Sequence, residues 1–551
     1  MIAIHYTTVR PAVANHRIFG VDVATTNWLQ AWFRYGSVDK FRFLIGEKAE
    51  WEEVVAVATD LGIEPSRLVA LDRRFLRENK DQFQTVFRPN PDSHGLLWQR
   101  EQLDKGFNFC GLAHAISGME AGELLEQYCL APSEDTDAII CPSRAVQAAI
   151  RSFWDLYGAY IERRFGAKFI CPVQLPVIPL GIDTAHFEAQ VSPPKRRAQR
   201  GALGVGEAEV VLLWVGRLSA AIKAHPLAMF QAAERAAETT GASVHLVMVG
   251  YFMPKEADAQ FRSLAADFCK KAKVTFIASD DRRFPDGLWA AGDVFLSLVD
   301  NMQESFGLTP IEAMSTGLPR VLSDWDGYRD SVRQGEDGYL IRTTQPPPGC
   351  GEELSRLLLN GREMYGGFLA KTALSVAVDQ VMAAEALTVL IRDKDVRAAM
   401  AESARMKARA VYDWKAVIGA YEALWQDLAD RRETRKPRLG RAAWPSALPQ
   451  VPDPYTMYKT YPSSVLAEGD MLSVAASMET IKMLWRHEMN VLALDVLAAP
   501  EEVTKMIVHI AANKSVSIGA LVKAFAAIDA PRLWRTIGWL IKLGILTHKP
   551  A

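Results

Sequence analysis

The chain has 551 residues, of which 49% are hydrophobic, 23% charged and 9% aromatic, the profile of a globular protein and not of a disordered one. That length exceeds one ordinary core, so two to four domains are expected. Lys and Arg (63) balance Asp and Glu (65) at a net charge of −2, which argues for no polyanionic partner, and six scattered cysteines without a CxxC pair exclude a disulfide scaffold.

No run approaches the ~18 apolar residues of a membrane span, the longest clean one being Val210 to Val215. The opening residues MIAIHYTTVRPAV lack a basic region followed by an apolar stretch, so no signal peptide is expected and the expected location is the cytoplasm.

In chain order, Ile2 to Tyr6 reads as a strand, Thr25 to Phe33 as an amphipathic helix, and Phe41 to Ile45 as a second strand. Asp137 to Ser143 reads as a buried strand ending in a turn before a helix. Short apolar runs separated by helices predict a parallel sheet covered on both faces over residues 1–190. The polar, basic, Pro-rich stretch Ser192 to Gly201 reads as a linker. The pattern restarts over 200–395, with buried strands at Val210–Val215, Val244–Val249, Val274–Ile277 and Asp293–Leu298. Two Rossmann-like domains facing a cleft follow, with ligands beyond the carboxyl ends of the strands.

Residues 396–432 read as closing helices, 433–462 as a basic and Pro-rich linker, and 463–551 as a helical, winged-helix-like domain with helix, turn, helix and a short strand after Gly544. From Val503 to Ala551 there are seven Lys/Arg against the single acid Asp529. Such a field favours nucleic acid, an anionic membrane surface or an acidic protein; a solvated helical surface is the plainer reading. Trp534 and Trp539 lie near these cations at a spacing that equally suits a helix core.

Chemistry concentrates in Asn301-Met-Gln-Glu-Ser-Phe-Gly-Leu-Thr-Pro-Ile-Glu-Ala-Met-Ser-Thr-Gly-Leu-Pro319. It follows a strand and opens a helix at Thr309-Pro310, with Gly317 placed to end it. Loop amides and a helix N-terminus favour an anionic ligand. With Thr309 as N-cap, Glu312 completes a Thr-x-x-Glu capping box, and Glu304 alone is an ordinary loop carboxylate. In Trp214-Val-Gly-Arg-Leu-Ser-Ala-Ala-Ile-Lys223, Arg217 and Lys223 flank a turn after a buried strand. Both can reach the cleft, where two cations suit a departing diphosphate; alone they read as solvated strand-end charges.

Gly-Arg217-Leu-Ser…Lys223 and Glu304-x7-Glu312, followed by Ala313-Met-Ser-Thr-Gly-Leu-Pro319, resemble the retaining GT-B glycosyltransferases of family four. Val177-Ile-Pro-Leu-Gly-Ile-Asp183, Asp137-Ala-Ile-Ile-Cys-Pro-Ser143 and the Tyr412-Asp-Trp414 helix are similar to that family as well, and the resemblance covers about residues 1–430. It implies a nucleotide-diphosphate-sugar donor in the second domain, with no metal and no further cofactor. By it, Glu304 contacts sugar hydroxyls, Glu312 the ribose, and Arg217 and Lys223 the leaving diphosphate. Gly216 and the amides of Phe306, Gly307 and Leu308 line the sugar–phosphate region, and Ile277 to Phe284 seats the base. His114 stands where the family often has a histidine facing the sugar. The family's Gly-Gly loop is reduced here to Gly20, and Asp22 is the acceptor-side candidate.

The resemblance implies transfer with retention, usually ascribed to a front-face route. The acceptor is open between a saccharide or lipid-linked glycan at a membrane surface, a protein, and a modified base in DNA. A non-catalytic nucleotide-sugar-binding or DNA-binding scaffold and a GT-B hydrolysing epimerase are the rivals.

Overall fold

The computed structural model describes residues 1–7, 20–93, 95–103, 106–284, 287–435 and 451–551, and side chains within 20–24 are outside it. The chain divides into two compact units, Met1–Arg438 and Leu439–Ala551.

The first unit holds two six-stranded parallel sheets. Strands β1 (Ile2–His5), β2 (Phe41–Ile45), β3 (Leu68–Asp72), β4 (Thr85–Arg88), β5 (Asn108–Leu112) and β6 (Ala138–Ile140) stand in the order β3-β2-β1-β4-β5-β6. Strands β7 (Val210–Val215), β8 (Val244–Val249), β9 (Lys273–Ile277), β10 (Val294–Ser297), β11 (Arg320–Ser323) and β12 (Gly338–Ile341) repeat that order as β12-β11-β10-β7-β8-β9. Both are the doubly wound Rossmann order, and the pair of domains is the GT-B architecture. Every residue of β8 is buried, as a strand covered by helices on both faces requires.

Helix α1 spans Gly20–Tyr35, longer than the predicted Thr25 to Phe33, and buries Trp28, Leu29, Trp32 and Phe33, one face at helical spacing. Helix α2 is Lys48–Asp60, and α3, Arg144–Phe165, starts at Ser143, whose hydroxyl accepts the Val146 N–H.

The stretch read as a linker is instead a helix, α4 (Pro193–Leu203). Ser192 caps it and the two prolines occupy its first turn, where their missing N–H groups have no role. Two of its basic residues, Arg196 and Arg200, bond into the domain, while Arg197 is exposed. Arg200, 1% exposed, donates to Asp293 at 3.1 Å and to the carbonyls of Ala291 and Glu209, and Arg196 reaches the same carboxylate at 2.7 Å. Asp293 lies at the head of β10, so the helix locks onto the second sheet.

Between β12 and the helix Gln380–Arg392 an excursion departs and returns through a two-residue ladder, β13 (Thr343–Thr344) with β14 (Ala377–Val378).

Helix α5 is Leu308–Ser315, and α6 is Trp414–Thr434. The latter returns to the first domain. Trp425 meets Trp32 at 5.2 Å between ring centroids, and Tyr421 meets Phe87 at 5.5 Å and Trp28 at 6.0 Å. Two quoted motifs join directly at the start of this return: the Ile182 N–H donates to the Tyr412 carbonyl at 2.8 Å, and the Trp414 N–H to the Ile182 carbonyl at 3.1 Å. Arg432 pairs with Glu134 at 2.5 Å, and Arg435, assigned above to the linker, also pairs with Glu134. Residues 436–450 of that linker lie outside the described residues.

The second unit is not purely helical. Its strand β15 (Met471–Val474) lies antiparallel between β16 (Val516–Ser517) and β17 (Leu546–Lys549), and α7 (Pro500–Ala512), α8 (Ile518–Ala524) and α9 (Ala530–Lys542) close a core around Leu472, Ile507, Leu521 and Leu533. Two basic residues of α9 are engaged with backbone carbonyls, while Lys542 is exposed. Arg532 donates to the Asp495 carbonyl at 2.5 Å and Arg535 to that of Val496 at 3.1 Å, while the Trp539 indole N–H reaches the Asn490 carbonyl at 2.7 Å. Among the described residues no helix is long and apolar enough to cross a membrane.

Candidate active site

Strands β7 and β10 are neighbours at the centre of the second sheet, where the strand order reverses. Their two following loops diverge there and leave a crevice at the carboxyl ends. Buried Asn301 ties the loops together: its amide donates to the Ala221 carbonyl at 2.7 Å, and its own carbonyl accepts the Trp325 indole N–H at 3.1 Å. The His225 N–H adds a bond to the Asp300 carboxylate at 3.3 Å.

This crosslinking brings Lys223, from the first loop, onto Glu304, from the second, as an ion pair with only 14% and 13% of the side chains exposed. Burial acts against the Lys223 charge, but the Glu304 carboxylate outweighs it and holds the ammonium above its usual range. Arg217 is half-buried on the same turn, close enough for its charge to oppose that of Lys223. Gly216 precedes it, and a Cβ there would lie 3.3 Å from Cε of Lys223.

The helix after the loop begins two residues earlier than predicted. Gly307, at φ 92°, is the N-cap of α5, so Thr309 lies inside the helix and its hydroxyl is buried without a partner among the described residues. The capping-box reading of Glu312 therefore fails, because the capping hydroxyl is absent from the cap position. Gly307 is required twice over: its φ is left-handed, and the Tyr328 ring lies 2.2 Å from where a Cβ would be. Phe306, 3% exposed, packs near Tyr412 at 6.1 Å, and Leu308 begins the helix, so the three amides lead into its N-terminus.

Glu312 lies within α5, and burial pushes its carboxyl up to about 7 while the Lys223 charge pulls it down. Asp300 is raised to about 7 by burial as well, against the His225 N–H. In the unfolded chain Glu312 titrates near 4.5, so between those values the folded protein holds a proton that the unfolded chain has released. Stability of the ligand-free protein is then expected to fall as pH rises from about 5 to about 7 and to level off above, with about 1–3 kcal/mol from Glu312. Urea unfolding at pH 5 and pH 8 checks this: Glu312→Gln should show a smaller drop than the unaltered chain, and equal drops would refute it.

The first domain touches this loop. The Ser143 hydroxyl donates to the Ser305 carbonyl at 2.8 Å, and the Arg144 N–H to Asp330 at 2.7 Å. Ser117 and Tyr365 meet hydroxyl to hydroxyl at 2.7 Å. His114 follows β5 and is bonded through Nε2 to the Pro89 carbonyl at 2.8 Å. Burial lowers its pKa, opposed by that bond. Among the described residues it makes no hydrogen bond to Lys223 or Glu304. Gly20 opens α1, while the Asp22 side chain and segment 8–19 lie outside the described residues. In the loop read as the base seat, Asp281 pairs with Arg283 at 2.7 Å.

Sequence reading assigned no role to Asp300, Asn301, Asp326 or Tyr328. The last two follow β11 in Trp325-Asp326-Gly327-Tyr328, where the Asp-Gly pair is a turn signal.

Residues 195–365 match the family model described as Glycosyl transferases group 1. The second Rossmann-like domain is a group 1 glycosyltransferase domain. Over about a third of its length the chain is similar to curated relatives. A D-inositol 3-phosphate glycosyltransferase of Geodermatophilus obscurus is 33% identical over 179 residues, 32% of this chain and 38% of the relative. One of Nocardia farcinica is 30% identical over 196 residues, 35% of this chain and 39% of the relative. The chain thus spans about two fifths of the length of these relatives. Among solved structures, Anabaena HepE in complex with UDP aligns at a TM-score of 0.48 and 16% identity, over 77% of this chain and 99% of that one.

Proposed function

We propose that the protein transfers a sugar from a nucleotide-diphosphate sugar to a hydroxylated acceptor, with retention at the anomeric carbon. The observation that carries this reading is the Arg217–Lys223–Glu304 arrangement at the switch point, beside the helix N-terminus of a group 1 glycosyltransferase domain. In this reading the bond between the anomeric carbon and the phosphate oxygen breaks, and Arg217, Lys223 and the amides of Phe306 to Leu308 stabilise the negative charge that develops on the diphosphate. The acceptor oxygen bonds to the anomeric carbon from the same face, and its proton passes to the leaving phosphate oxygen. Glu304, ion-paired with Lys223, accepts hydroxyl hydrogen bonds from the sugar rather than attacking it, and Glu312 receives the ribose. His114, held by Pro89, faces the sugar from the first domain.

The curated relatives are named for an inositol phosphate, which supports a saccharide or other polyol as the acceptor class. Binding and consumption of UDP-, ADP- and GDP-sugars by the full chain test the reading. One donor is expected to bind and to release its nucleoside diphosphate slowly, with Arg217→Ala and Glu304→Ala each at least about 100-fold slower. If no donor is bound or consumed, the reading fails.

A further inference from the structure

Two bonds from the first domain bear on the donor loop, and both start at the amino-terminal end of α3. The Ser143 side chain is fully buried, and its hydroxyl donates to the Ser305 carbonyl at 2.8 Å. The same oxygen caps α3 by accepting the Val146 N–H at 3.2 Å. The Arg144 N–H, a first-turn donor with no partner inside its own helix, finds its acceptor in the second domain, the Asp330 carboxylate at 2.7 Å. The Arg144 side chain is 81% exposed, so its charge adds little.

Asp330 passes that contact on to the same loop. Its N–H donates to the Gly327 carbonyl at 3.2 Å, and Gly327 is itself pressed against the loop. A Cβ on Gly327 would fall 2.4 Å from the Cα of Phe306 and 2.7 Å from the carbonyl oxygen of Ser305, so only glycine fits. The Tyr412 hydroxyl holds the Asp330 carbonyl at 3.2 Å and the Lys407 ammonium that of Ser331 at 2.8 Å, which anchors this brace.

The peptide gripped in this way joins Ser305 to Phe306. Its C=O and N–H belong to one planar trans unit and therefore point in opposite directions. A hydroxyl that holds the carbonyl on the α3 side thus turns the Phe306 N–H away from α3. Among the described residues that N–H has no hydrogen-bond partner in the chain. It is also one of the three amides assigned above to the diphosphate, and Glu304 is the residue immediately before Ser305.

We propose that Ser143 is a positioning residue for the donor site: through the Ser305 carbonyl it aims the Phe306 N–H at the diphosphate, with the Arg144–Asp330 bond as its brace. This rests on the transferase reading above and deepens it, since the first domain then completes the donor site and does not merely face it.

The test uses the full chain and its variants Ser143→Gly, Ser143→Thr and Asp330→Ala. Glycine serves as an N-cap nearly as well as serine, so Ser143→Gly removes the hydroxyl at little cost to α3. Hydrolysis of whichever UDP-, ADP- or GDP-sugar the unaltered chain consumes is measured beside the Kd for the matching nucleoside diphosphate. Turnover in Ser143→Gly is expected to fall about 10- to 100-fold, the usual result of a misplaced group in a reacting site. The Kd should stay within about fivefold, because the amide contributes most as charge moves onto the leaving group. Ser143→Thr should recover to within about threefold, and Asp330→Ala should lose about 3- to 10-fold in turnover with the same small change in Kd.

Hydrogen exchange of the ligand-free chain separates positioning from capping. Amides of 301–308 should exchange at least about 10-fold faster in Ser143→Gly, while those of 150–160 within α3 keep their rates. Faster exchange confined to α3 overturns the proposal, since the serine is then only a cap. If the unaltered chain neither binds nor consumes any of these nucleotides, the transferase reading falls and this inference with it. If it consumes a donor and Ser143→Gly does so equally well, this inference alone falls.

Discussion

Lys223→Met is expected to lower donor turnover by about 100- to 1,000-fold with a much smaller change in nucleotide affinity. Removing one preorganised charge donor from a low-dielectric site has that size, about 2.7–4 kcal/mol, because its interaction grows as charge moves onto the leaving group. Here a second effect adds to it. Glu304 has 13% of its side chain exposed and is paired with Lys223, so the substitution leaves a largely buried carboxylate without its cation. Loss of that pairing weakens sugar recognition as well as the departure of the diphosphate. Lys223→Arg should recover only part of the rate, since the guanidinium fork is larger and the ammonium is enclosed against Glu304. Single-turnover rates with saturating donor, set beside the Kd for the nucleoside diphosphate, separate the two effects. A Lys223→Met rate within threefold of the unaltered chain would remove the central support of the mechanism.

Asp337→Ala is expected to destabilise the second Rossmann-like domain by about 3–5 kcal/mol, the usual result of stranding one member of a buried ion pair. Arg320, at the head of β11, and Asp337 are both 0% exposed and bonded at 2.6 Å. The arginine also donates to the Ser331 carbonyl at 3.1 Å and to the Asp337 carbonyl at 3.0 Å. Asp337 in turn accepts the Arg333 N–H and its Nε, each at 2.9 Å. Alanine leaves the Arg320 charge without its counter-ion, out of reach of water. The double variant Arg320→Met with Asp337→Leu should regain much of the loss, because it removes both charges together. Urea unfolding followed by tryptophan fluorescence measures both, and a loss below about 1 kcal/mol for the single variant would contradict the argument. Since β11 leads straight into the Asp326 turn, donor binding should weaken in parallel.

Where apolar periodicity was strong, sequence and structure agree closely. The strands beginning at Val210, Val244 and Val294 were legible because parallel strands buried on both faces are nearly unbroken apolar runs. Lys223, Glu304 and Glu312 were legible as a spaced set, and the structure places the first two in direct contact. What escaped depended on partners distant in sequence. Arg196 and Arg200 read as linker residues because Asp293, which binds both, comes more than 90 residues later. The cap of α5 was misplaced because Thr309 is the better capping residue by propensity, whereas Gly307 wins through the Tyr328 ring packed against it. The Asp326–Gly327 pair carried no signal beyond a turn, since its close approach to Ser305 and Phe306 exists only once the loops meet.

The return of α6 has a consequence for how the molecule is made. The aromatic wall of the first domain, Trp28, Trp32 and Phe87, is covered by Tyr421 and Trp425, residues that leave the ribosome only after the whole second domain. During synthesis the first sheet can assemble, yet its greasiest face stays open to water and to chaperones until the chain has passed Leu428, which is also buried in that core. The amino-terminal half is thus the first to be born and the last to be finished. Cutting the gene between the two sheets would release a sticky fragment rather than an independent module.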